Sequence, residues 1–143
     1  MLKVVLVSLA LTLLAGCPIN PVKQAETFEQ KAFALYGTYV IFQGKAAELV
    51  QDAAVSERIK QGLRDADKAA YPVAEDLVDA AVTAADIRDI IDDCKEPGMP
   101  ETNPACTPSN ERRLANAVTN LNMIYIKAQP IILNLAAAVK GAK

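Results

Sequence analysis

The residues with capacity for chemistry in this 143-residue chain are few: three cysteines, four tyrosines and a run of carboxylates, with no histidine. Without an imidazole, a serine or cysteine nucleophile lacks its usual general base. No serine sits in a nucleophile-elbow or Ser-x-x-Lys pattern. Hydrolysis has little to stand on, and the chain reads as a non-enzyme that works by binding. Glu75, Asp76, Asp79, Asp86, Asp89, Asp92, Asp93 and Glu96, relieved by Arg88 and Lys95, fall at helical spacings. Such carboxylates could share a divalent cation, but they lack the loop geometry and carbonyl ligands of a calcium site. A solvated acidic face is the simpler expectation, and no metal or cofactor is expected.

The first cysteine has the most specific surroundings. Lys3 precedes the uncharged run Val4 to Leu14, followed by the small pair Ala15-Gly16 and the thiol of Cys17. A basic start, a short apolar core and small residues before a cut site are the parts of a secretory leader. Leu14-Ala15-Gly16-Cys17 resembles a bacterial lipoprotein lipobox. The resemblance implies cleavage between Gly16 and Cys17, thioether diacylglycerylation of Cys17 and N-acylation of the new terminus. It also implies membrane attachment through lipid, with the body in the periplasm or at the cell surface. An aspartate after the lipidated cysteine would resemble an inner-membrane retention signal; Pro18 stands there, which favours the outer membrane.

With Cys17 acylated, Cys94 and Cys106 remain. In an oxidising compartment two remaining cysteines favour a disulfide. The segment between them, Lys95 to Ala105, holds three prolines and a glycine and reads as a loop. Closing it would stabilise the fold by about 3 kcal/mol in the chain-entropy model. A metal site is the alternative, poorly served by two thiols without histidine.

Removing residues 1–16 leaves 127, enough for one domain with a core. The leader's only charge is Lys3, so the remainder carries 14 basic and 17 acidic side chains. No Lys/Arg cluster draws such a chain to nucleic acid or to anionic lipid heads. No segment after Cys17 reads as long and apolar enough to span a bilayer.

Beyond a tether at 17–24, three helical periods follow. The first runs over about 25–53. The second, about 56–93, opens at Ser56 and recurs through Ile59, Leu63, Ala66, Ala70, Val73, Leu77, Ala81, Ala84, Ile87 and Ile91. The third, about 108–140, starts at Thr107-Pro108, carries Leu114 to Val139 on one face and is closed by Gly141. Tyr36 to Phe42 is rich in strand-favouring residues but lies inside the helical period. Short connections make successive helices antiparallel. The expected fold is an all-α, up-down-up three-helix bundle with kinked long helices, preceded by a cleaved lipoprotein signal peptide. It is similar to small, uncharacterised helical lipoproteins of bacteria and prophages.

Two binding features stand out. Gly37, Pro72 and Pro130 fall at one height when residues are counted from the connections, and Tyr36, Tyr39, Tyr71 and Tyr125 lie near it. Each helical proline frees the carbonyl four residues back, at Lys68 and Ile126. A tyrosine hydroxyl can satisfy such a carbonyl, which gives a packed bend. Alternatively, the four phenols line a cleft for a small or lipid-like ligand. The second feature is Ala32 to Gly44, uncharged throughout, whose Phe33, Leu35, Tyr36, Tyr39, Val40, Ile41 and Phe42 spread more widely than one buried stripe. Either this helix is clasped deeply in the bundle, or Phe33, Val40, Ile41 and Phe42 form a face for an envelope protein partner or for self-association.

Overall fold

The computed structural model describes residues 27–94 and 107–142. The segment expected to be a leader, Cys17 as the expected lipidation position, and Cys106 lie outside the described residues. Three helices make up the fold: α1 (Phe28–Gln51), α2 (Glu57–Asp93) and α3 (Pro108–Gly141). Among the described residues there is no strand, and Tyr36 to Phe42 is helical within α1.

Each helix begins where local chemistry allows. α1 starts three residues later than the apolar period suggests, because Thr27 and Gln30 form a capping box. The Thr27 hydroxyl oxygen accepts from the Gln30 N–H, and the Gln30 side-chain oxygen accepts from the Thr27 N–H, both at 3.2 Å. Two orphan donors of the first turn are thereby satisfied. Ser56 and Thr107 occupy the N-caps of α2 and α3 without a side-chain capping bond. Pro108 opens α3 at a position where no N–H is needed. Gly141 does not close α3 as a left-handed cap; Ala142 follows it in ordinary right-handed conformation.

Side-chain contacts define the topology. Arg88 reaches Glu29, and Tyr39 reaches Asp67, so α1 and α2 run antiparallel. Ile59 and Leu63 share a groove with Asn134 and Ala138, so α3 returns antiparallel to α2. The Lys140 ammonium lies 5.7 Å from the centre of the Phe42 ring, joining the C-terminal halves of α1 and α3. The bundle is up-down-up.

The core is a column of Leu35, Tyr39, Leu63, Leu77, Leu121, Ile132 and Leu135 with Ala32, Ala70, Ala74, Ala81, Ala84 and Ala128, all at most 2% exposed. Alanine supplies half of the buried residues of α2, letting neighbouring backbones approach closely. α2 follows the expected stripe, with Ala74 added and Ile59 left 38% exposed.

α2 and α3 run through Pro72 and Pro130 without interruption. Both prolines stand on exposed positions, and so do Lys68 and Ile126, whose carbonyls lose their helical donors. Tyr39 directs its hydroxyl to Asp67 and to neither of these carbonyls.

One expectation about α3 fails. It is, by length and composition, apolar enough to cross a membrane. Lys127, Gln129 and Asn134 interrupt its sequence and obscure that property. In the fold α3 is a core helix, with Leu121, Ala128, Ile132 and Leu135 fully buried.

Candidate functional site

A candidate binding face must combine exposed apolar area with space for a partner. On α1, Phe33, Gly37, Val40 and Gly44 succeed one another at four, three and four residues, which stacks them in one row. Ile41 lies beside the row. Phe33, Val40 and Ile41 are 40%, 46% and 57% exposed. A Cβ built at Gly37 or Gly44 would meet nothing within 4 Å, so the row is open above both glycines. A groove of about 480 Å³ continues it towards α2, with Val40, Gly44, Ala47 and Val50 on one wall and Leu63, Arg64 and Asp67 on the other. The result is an apolar shelf rimmed by one cation and one carboxylate.

Phe42 is not part of this shelf. It sits two residues beyond Val40, on the far side of the helix, and packs against the core. Its ring lies beneath Lys45 at 5.6 Å and Lys140 at 5.7 Å. This cation–π clasp joins α1 to α3. Apolar composition alone gathered Phe33, Val40, Ile41 and Phe42; helical geometry assigns the last to the interior side. Gly37, counted above with the helical prolines, is part of this face, and so is Gly44. Their spacing of seven from each other, interleaved with Phe33 and Val40, was the available signal.

The four tyrosines divide. Tyr39 is 1% exposed and its ring centre lies 6.1 Å from that of Tyr36. Its hydroxyl donates to Asp67 Oδ1 at 3.4 Å. Burial pushes the Tyr39 phenol well above its ordinary range, and the neighbouring Asp67 charge adds to the effect. Tyr125 is partly buried against the core, and burial raises it too. Tyr71 is turned outward, 53% exposed. The three grooves with described walls are lined by none of these four residues.

A buried ion pair, unanticipated in the sequence, locks the start of α1. Glu29 is 4% exposed, and its Oε1 accepts from Arg88 Nη2 at 2.7 Å and Nε at 3.1 Å. Burial alone would raise the Glu29 carboxyl, but hydrogen bonds from Arg88 and from the capping turn, together with the Arg88 charge, hold it below the usual range. Cys94 stands at the C-cap of α2. Along the acidic half of α2, Asp76, Asp79, Asp86, Asp89, Asp92 and Asp93 are exposed. Among the described residues no three metal-ligating side chains come together.

Comparison with protein-family models, with curated proteins and with solved structures returns no significant match. The functional reading therefore rests on the residues and their geometry.

Proposed function

We propose that this chain is a lipid-anchored binding module of the bacterial cell envelope, without catalytic activity, that docks a helix of an envelope protein on the outer face of α1. The open row Phe33-Gly37-Val40-Gly44 carries the reading. Two glycines at helical spacing let a partner backbone approach closely, while Phe33, Val40 and Ile41 offer apolar area to bury. The Leu14-Ala15-Gly16-Cys17 resemblance supplies the anchor, with Pro18 favouring the outer membrane. Cys94 and Cys106 pair as a disulfide across the α2–α3 connection; their export to an oxidising compartment supports this.

A photo-crosslinking side chain placed at Val40 in living cells tests the docking. The expected result is one discrete adduct that disappears when Gly44→Leu fills the shelf. An identical adduct from a probe at Asp86 on α2, or no adduct at all, overturns the reading. An adduct of twice the chain's mass assigns the face to self-association instead. Labelled palmitate should enter the parent chain and not Cys17→Ser. Alkylation with and without reductant should change the accessible thiol count by two.

A further inference from the structure

We infer that the outer face of α3 is a membrane-contact surface that lies on the anionic phospholipid leaflet to which the chain is anchored. Thr119, Met123, Ile126, Pro130, Leu133 and Ala137 follow one another at alternating four and three residues, and all are exposed. At 100° per residue the row is about 80° wide, and at 1.5 Å rise it is about 27 Å long. Met123, Ile126 and Leu133 are 53%, 61% and 49% exposed, more than a helix buried on both sides would allow.

Charge selects the occupant. α3 has four basic residues and one acidic residue, Glu111 in its first turn. Lys127 and Lys140 flank the row on opposite sides, and Arg112 stands on its line, beyond the Thr119 end. α2 carries ten acidic residues against five basic ones. The linear sequence shows no basic cluster because the cations are spread along α3, whereas the acidic excess stands on α2. An anionic surface therefore attracts α3 and repels α2. The Lys127 stem can lie along the apolar row while its ammonium reaches the phosphates. Two copies packed through the same row would instead bring their Lys127, Lys140 and Arg112 side chains together.

Tether length agrees, on the reading that Cys17 is acylated. Thr27, the cap of α1, lies ten positions after Cys17, a reach of at most about 35 Å when extended. The Glu29–Arg88 pair holds the start of α1 beside the end of α2, from which the chain turns into α3. The anchored end thus reaches a leaflet on which α3 lies flat, and the α1 shelf remains free for a protein partner.

The chain has no tryptophan, so single Ile126→Trp, Leu133→Trp, Val40→Trp and Val82→Trp versions report one face each. Each full-length chain, as the cell matures it, is reconstituted into phosphatidylglycerol vesicles carrying brominated acyl chains. Quenching at Ile126→Trp and Leu133→Trp should exceed that at Val82→Trp by about threefold or more. Replacing Lys127 and Arg112 with Glu should remove that excess while circular dichroism is retained. Equal quenching at all four positions overturns the inference. So does protection of Ile126→Trp from both bromolipid and aqueous iodide with a doubled molecular mass, which would place a second copy on the row. Intact mass reports acylation separately: an unacylated chain that still shows differential quenching refutes the anchor and keeps the face.

Discussion

Glu29 and Arg88, 59 residues apart in sequence, meet at 2.7 Å where α1 begins and α2 ends. The carboxylate is almost wholly buried, whereas the guanidinium is 38% exposed. The pair therefore reaches from the core edge into solvent, and it fixes which ends of the two helices adjoin.

Removing the cation leaves a buried, unpaired carboxylate. Arg88→Ala should destabilise the fold by about 3 kcal/mol, and Glu29→Gln by less, because the amide keeps some hydrogen bonding. The pH dependence has a definite sign. Glu29 titrates below the usual carboxylate range in the fold, so its contribution is complete above its unfolded value and fades as pH falls through its folded value. Urea midpoints of the parent and Glu29→Gln, measured from neutral to acid pH, should converge at the acid end.

Tyr39 gives the opposite limb. Burial, followed by the Asp67 charge, raises its phenol, so its contribution is present below the unfolded tyrosine value of about 10 and is lost as pH climbs towards the folded value. The parent should lose stability above that point. Tyr39→Phe should cost about 1 kcal/mol at neutral pH and flatten the alkaline limb of the melting curve.

Two isoleucines on α3 separate core from surface. Ile132 is fully buried and Ile126 is 61% exposed. Ile132→Ala should cost about 2–5 kcal/mol, whereas Ile126→Ala should change stability by no more than about 0.5 kcal/mol. Thermal melts in the absence of lipid decide this. A large loss at Ile126 would mean that the bundle itself covers the outer row.

Gly37 and Gly44 should each carry a stability cost retained for a purpose other than folding. A Cβ would meet nothing within 4 Å at either position, and helix-interior glycine is disfavoured relative to alanine by about 0.5–1 kcal/mol. Gly37→Ala and Gly44→Ala should therefore raise the midpoint of unfolding. The same changes should weaken capture at the α1 shelf, which a crosslinking yield measures alongside the melt.

Much of the architecture was legible before any coordinates. The three- and four-residue recurrence in α2 was accurate from Leu63 to Ile87, because a long helix with alanine and leucine on one side has one way to bury them. The Thr27-x-x-Gln30 box was equally readable and would have placed the start of α1 correctly. α1 itself was harder. Its apolar residues surround most of the helix, so periodicity could not say which of Val40 and Phe42 faces the core.

Sequence by itself determined the helical class, the number of helices and the apolar positions, since these depend on local propensity and on a spacing internal to each segment. Only the tertiary structure decided that Phe42 sits beneath Lys140, that Glu29 meets Arg88, and that α3 keeps an apolar row outside. Those outcomes depend on how neighbouring helices rotate and slide against one another. Rotation and register arise from contacts between residues dozens of positions apart, and no single helical period contains them.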